Sequence, residues 1–166
     1  MALPSHVTIR RAVPEDAEAL GHLHLDVWDD AYTGLMPQSV LDRRRADASG
    51  RIERWREILT SSDEPTYLAE AAEEGLVGFA GSGPTRDNDV DIELELWALY
   101  VRAAYYGTGV GYALFETVVG DRACCLWVLA GNERAIAFYE RQGFQLDGTE
   151  DEHDEGLHVR MVRAGV

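Results

Sequence analysis

The chain has 166 residues, of which 46% are hydrophobic and 27% charged, a balance that fits one soluble globular domain spanning residues 1–166. Thirty acidic residues against fifteen basic ones leave a formal charge of −15, which argues against nucleic-acid and anionic-membrane partners, because phosphate contacts need a basic face. All fifteen basic residues are arginine, so no lysine can act as a Schiff base, a general base or a P-loop phosphate ligand.

Residues 1–6 lack the basic start and apolar stretch of a signal peptide, and no apolar run reaches about 18 residues. A cytoplasmic protein is expected. Residues 6–11 alternate around Val7 and Ile9 and predict a strand. Pro14 suits a first helical turn, with Glu15 and Asp16 favourable beside the helix dipole. Leu20, His24, Val27, Trp28 and Ala31 then recur at helical spacing until the run 32–37 breaks the pattern. Residues 40–46 form a short helix, and Ser49 is the expected N-cap of another that carries Ile52, Trp55 and Leu59. Residues 66–72 and 76–81 read as a hairpin joined by Glu73-Glu74-Gly75, and 91–101 as a long strand. A glycine-rich turn at 107–111 opens a helix with Val110, Ala113, Leu114 and Val118 on one face. Residues 124–129 are continuously apolar, as a buried parallel strand would be. Asn132 caps a helix that carries Ala135, Ile136 and Tyr139 and stops at Gly143. Residues 144–146 and 157–162 are the last strands, with the acidic stretch 147–156 as a loop between them.

The adjacent Cys124 and Cys125 exclude a disulfide framework, favour a reducing compartment and read as buried structural residues. His6, His22, His24, His153 and His158 give no zinc spacing, and no metal is expected.

Chemistry concentrates in two stretches. In the first, Leu99-Tyr100-Val101 leads through a short connection into Gly107-Thr108-Gly109-Val110-Gly111-Tyr112. Unpaired N–H groups at a helix start, with glycines allowing close approach, bind phosphate. Taken alone, the glycines also fit a tight turn. A Walker A loop would need lysine, and a Rossmann fingerprint would follow the first strand of its unit. The second stretch, residues 132–144, is a capped helix that returns a tyrosine hydroxyl over the preceding strand's end. Alone, Tyr139 fits a half-buried core tyrosine, and Arg134 and Arg141 fit a solvated helix face.

Together the two stretches resemble the acyl-CoA-binding motifs of the GNAT family of N-acetyltransferases. There a strand leads into Gln/Arg-x-x-Gly-x-Gly/Ala at a helix start, followed by a strand, Asn-x-x-Ala-x-x-x-Tyr and Gly-Phe. Gly109 and Gly111 take the paired glycine positions. Asn132, Ala135, Tyr139, Gly143 and Phe144 match the later motif, and residues 95–101 look like the family's fourth strand. Two positions depart from the pattern. Tyr106 stands at the Gln/Arg position, which implies less positive charge near a pyrophosphate. Trp127 stands where some members carry a glutamate base.

The resemblance implies an α/β GNAT fold, with a mixed central sheet of about seven strands flanked by about four helices. It implies transfer of an acetyl group from acetyl-CoA to a primary amine, on a small molecule or peptide, without a covalent enzyme intermediate. The coenzyme would contact Leu99, Tyr100, Val101, Gly107, Thr108, Gly109, Val110, Gly111, Tyr112, Asn132, Arg134 and Phe138. The Tyr100 N–H would face the thioester oxygen. An aliphatic amine is almost wholly protonated at pH 7, so a base is needed. Glu95 is the first candidate, Glu93 the second and Asp91 a more distant third, all of one strand parity. Tyr139 would donate toward the departing sulfur. The acceptor would be walled by residues 28–37 and by residues 150–155, whose acidic rim attracts cations. Edge strands near the C-terminus leave room for a homodimer. A non-catalytic acyl-CoA-binding module and a transferase of a longer acyl chain are the alternatives.

Overall fold

The computed structural model describes residues 2–166. Seven strands form one sheet in the order β1-β2-β3-β4-β5-β7-β6. They are β1 (Val7–Arg11), β2 (Thr66–Ala71), β3 (Gly75–Pro84), β4 (Leu94–Val101), β5 (Cys124–Leu129), β6 (Gln145–His153) and β7 (Gly156–Arg163). Five α-helices accompany them, one more than the family resemblance suggested: α1 (Ala17–Tyr32), α2 (Gln38–Ala46), α3 (Ala48–Ser61), α4 (Val110–Val118) and α5 (Glu133–Arg141). All neighbouring strands are antiparallel except β4 and β5. A parallel pair needs a long crossover, and α4 supplies it.

Helical periodicity divides the apolar residues between the two faces of the sheet. Leu20, Leu23 and Val27 of α1, with Trp55 of α3, pack on Leu68 and Phe79. Val110, Leu114, Phe115 and Val118 of α4 pack on the opposite face with Ala69 and Leu126. The successive residues Leu68 and Ala69 therefore serve different cores, as the pleat of a strand requires. Burial on both faces explains the unbroken apolar run of β5, where Trp127 alone is half-exposed.

The feature that positions a site is a bulge in β4. Register with β3 slips between Gly81↔Ala98 and Ser82↔Leu96, leaving Trp97 as the extra residue. A bulge bends its strand, and the β4–β5 pairing is confined, among the described residues, to Glu95↔Cys125. Gly83 makes room on the partner strand, since a Cβ there would lie 2.3 Å from the Trp97 ring.

Three local expectations are corrected. Residues 147–156 are not a loop: β6 runs to His153 and pairs with β7. Its acidic composition disfavours a strand, but β7 offers a continuous edge, and a register shift between Leu146 and Glu150 absorbs a bulge at Asp147-Gly148-Thr149. Ser49 lies inside α3, which starts at Ala48 behind Asp47 with no side-chain cap. Residues 91–93 lie before β4 rather than in it.

Candidate active site

Where β4 and β5 diverge, a cavity of about 390 Å³ opens between the strand ends, the start of α4 and α5. The turn before α4 is built on Gly107 and Gly109, at φ +72° and +94°, where a side chain would be strained. Thr108 Oγ1 donates to the Tyr105 carbonyl at 2.6 Å. The Ala113 N–H donates to the Gly109 carbonyl at 3.0 Å. The amides of Val110, Gly111 and Tyr112 precede that bond and have no acceptor within the helix. Gly111 faces the cavity, whereas the Val110 side chain is wholly buried in the core and Thr108 contributes no lining surface.

A positive charge reaches this turn from elsewhere in the chain. The Arg134 guanidinium of α5 lies 3.7 Å from the centre of the Tyr106 ring. Tyr106, at the position where the resemblance expects Gln or Arg, is thus the platform for an arginine from a different element. Stacking of this kind is a favoured arginine geometry. No local pattern in the sequence joins the two residues.

Strand alternation decides which amides line the gap. The Arg102 N–H donates to Val77 at 2.8 Å, on the β3 side. Antiparallel residues alternate in the direction of their backbone groups, so Tyr100, opposite Phe79, also turns its N–H toward β3. The amides of Leu99 and Val101 turn toward β5. Tyr100 lines the cavity, but its amide is not the one the gap exposes.

Asn132 is buried and accepts the Ala135 N–H at 3.3 Å, capping α5 as expected. That cap orients the helix so that Phe138 and Tyr139 face the cavity. Tyr139 is 8% exposed. Burial, reinforced by the neighbouring Tyr100, pushes its hydroxyl above the usual tyrosine range.

A second cavity, of about 1020 Å³, lies on the other side of β4. The two share Tyr32, Trp97, Ala98, Tyr100 and Trp127, so they meet at the strand divergence. The Tyr32 and Tyr100 hydroxyls are 2.8 Å apart at this junction. The second cavity is bounded by His24 and Trp28 of α1, Arg44 of α2 and the 151–155 tip of the β6–β7 hairpin.

Glu95 belongs to this second cavity and is 1% exposed. It accepts the backbone N–H of Arg86 at 3.0 Å and its Nε at 3.1 Å, and pairs closely with its terminal nitrogen as well. Glu93 and Asp91 are exposed and line neither cavity, so the structure does not bring them to the junction. Asp87 accepts the Trp127 indole N–H at 2.9 Å and a bond from Arg160 at 3.1 Å. Glu95, Asp87 and Cys125 place ligand-type atoms within 4.8 Å of one another, and Arg86 and Arg160 pair with the two carboxylates. Cys124 and Cys125 are free and buried, and burial pushes the Cys124 thiol up to about 12.

The chain resembles known proteins in sequence and in fold. Residues 62–146 match the model of the acetyltransferase (GNAT) domain. An aminoglycoside N(6')-acetyltransferase type 1 of Stenotrophomonas maltophilia is 34% identical over 122 residues, 70% of this chain and 67% of that one. An uncharacterized N-acetyltransferase of Bacillus subtilis strain 168 is 25% identical over 166 residues, 96% of this chain and 91% of that one. Among solved structures, the PaiA N-acetyltransferase of Thermoplasma acidophilum, in complex with coenzyme A, superimposes with a TM-score of 0.69 at 20% identity. That match covers 95% of this chain and 98% of the other.

Proposed function

Since the chain belongs to the GNAT family of acetyltransferases, we propose that it moves the acetyl group of acetyl-CoA directly onto a primary amine held in the second cavity. The observation that carries this reading is the meeting of two cavities at the β4–β5 divergence, with a glycine-built helix start at the far end of one. The diphosphate of the coenzyme sits on the 107–112 turn, where the amides of Val110, Gly111 and Tyr112 and the guanidinium of Arg134 meet its charge. The pantetheine arm runs along β4 as an added strand, bonded by the backbone of Leu99 and Val101.

The thioester then lies at the junction. Its carbonyl oxygen gains negative charge as the amine attacks, and the Leu99 N–H, which faces the gap, is the donor for it. This replaces Tyr100, whose amide belongs to β3. Tyr139 donates to the departing sulfur. A thiol titrates near 8.5 and a tyrosine near 10, and burial raises Tyr139 further. The hydroxyl therefore stabilises the thiolate through a hydrogen bond rather than by full proton transfer.

Glu95 receives the proton that the incoming ammonium must lose, and the second nitrogen proton, shed as the C–N bond forms and the C–S bond breaks, ends on the departing thiolate to give the CoA thiol. Its present counter-ion, Arg86, has a side chain 67% exposed, so an ammonium can displace it with little disruption of the fold. Placing amine and thioester together is itself worth roughly 7–11 kcal/mol.

Thiol release from acetyl-CoA, measured across a panel of primary amines, tests the reading. Turnover with at least one amine, and a diphosphate on residues 107–112 in a coenzyme-soaked crystal, are expected. Coenzyme binding without turnover for any amine, or a diphosphate bound elsewhere, would overturn it. The relative from S. maltophilia is named for an aminoglycoside amine, so aminoglycosides belong in the panel.

A further inference from the structure

One buried polar group in the second cavity takes no part in the transfer chemistry. His24 of α1 is 8% exposed and lines that cavity. Its Nδ1 lies 3.1 Å from Trp55 Nε1. An indole nitrogen can only donate, so Nδ1 accepts and the ring carries its proton on Nε2. No acceptor for that N–H is found among the described residues. The ring is held in place by Trp28, Phe79 and Tyr100, at centroid distances of 3.8, 5.0 and 5.8 Å. An imidazole fixed in this form cannot accept the amine's proton. It can donate to an oxygen.

The charges around it indicate which oxygen. The guanidiniums of Arg44 and Arg51 lie 4.2 and 4.6 Å from the Trp28 ring centre. Arg44 bridges to Glu155 of the hairpin. Arg51 makes no ion pair among the described residues, and its Nε is buried without an acceptor. The field of these arginines disfavours a proton on Nδ1, and for the same reason it favours a negative oxygen at Nε2. On the β4 side the cavity is lined by Glu95 and Asp87 instead. Glu155 at the His24 end is paired with Arg44, while Asp151, Glu152 and Asp154 line the hairpin rim, so the donors and cations around His24 face carboxylates across the cavity, an arrangement suited to a zwitterion.

We propose that His24 determines acceptor specificity, its Nε2–H donating to a carboxylate carried by the acceptor while the acceptor's amine lies toward the β4–β5 gap. The favoured acceptor is then an amino acid or another amine bearing a carboxylate, rather than a polycation. This rests on the reading of the second cavity as the acceptor site.

Matched pairs of an amino acid and its decarboxylated amine, such as phenylalanine with phenethylamine or lysine with cadaverine, provide the test. In the unaltered protein the carboxylate member is favoured by about tenfold or more in kcat/KM, mainly through KM, as expected for a charge-assisted hydrogen bond. In His24→Phe the ratio falls to near unity. His24→Gln, which restores a side-chain N–H donor, recovers part of it. Thermal melting reports whether each variant folds, and the comparison in the unaltered protein does not depend on them.

Preference for the decarboxylated amine, or a ratio unchanged in folded His24→Phe, overturns the proposal. Binding to the CoA-saturated protein, followed by tryptophan fluorescence through Trp28, separates this inference from the transferase reading. Carboxylate-selective binding with no turnover leaves the inference standing and removes the reading. Turnover indifferent to the carboxylate does the reverse.

Discussion

At the scale of single residues, burial perturbs two aromatic groups, Tyr139 and His24, each in the direction its charge dictates. Tyr139 stays protonated across the neutral range because burial opposes its anion. Tyr139→Phe is expected to lower kcat by about 10²-fold with a much smaller change in the acetyl-CoA KM. Because the native hydroxyl does not titrate near neutrality, that deficit stays constant from about pH 6 to pH 9, and a pH–rate profile of both proteins checks it. His24 is buried neutral, chiefly by desolvation and then by the nearby arginines, so its folded pKa lies well below the ordinary 6.5. Below about 6.5 the unfolded chain takes up a proton that the folded chain refuses, so stability falls as pH drops through that value. Melting temperatures measured downward from pH 8 should show this decline, and His24→Phe should lack it.

At the scale of elements, the decisive piece is the turn into α4. Gly109 is its N-cap at φ +94°. A Cβ in left-handed backbone costs roughly 1–2 kcal/mol, so Gly109→Ala should lower the melting temperature by a few degrees. On the proposed reading, in which these amides hold the coenzyme diphosphate, it should also raise the acetyl-CoA KM far more than the acceptor KM. Equal changes in both constants would indicate general damage instead. The bulge at Trp97 is the second such piece. It sits where β4 leaves β5 after Glu95, at the junction that the two cavities share.

At the scale of the whole molecule, arginine does work that lysine usually shares. Arg160 of β7 is 3% exposed, and its guanidinium joins Asp87, Asp89, Asp147 and Thr149. This cluster ties the segment before β4 to the last hairpin, and through Asp87 it fixes the Trp127 indole at the cavity junction. Removing the cation leaves several carboxylates facing one another, so Arg160→Met is expected to cost about 3 kcal/mol and to raise the acceptor KM. Chemical denaturation and steady-state kinetics measure the two effects. The acid limb of stability has a matching sign. The Arg10 hydrogen bond holds Asp16 below its ordinary value. Burial pushes Asp147 upward, but the Thr149 N–H and Arg160 outweigh it and leave it lowered. Such carboxylates stabilise the fold above the unfolded value near 3.9, and this contribution is lost as pH falls below it. No helix of the described residues is long and apolar enough to cross a membrane.

Much of this was legible before any coordinates. Period-2 and period-3.6 patterns located most strands and helices, because core burial must follow the pleat and the helical turn. The glycines at 107–111 and the run from Asn132 to Phe144 marked the cavity's rim, since left-handed backbone and a capped helix have local chemical signatures. The tertiary structure decided what depends on distant partners. β6 is a strand only because β7 lies beside it. Tyr106 serves a cation because α5 brings Arg134 over it. Glu95 is distinguished from Glu93 by burial rather than by parity. The His24 tautomer is set by Trp55, 31 positions away in the chain. Local sequence determines backbone conformation and the faces of elements, while the protonation and reach of a side chain depend on atoms that only folding brings near.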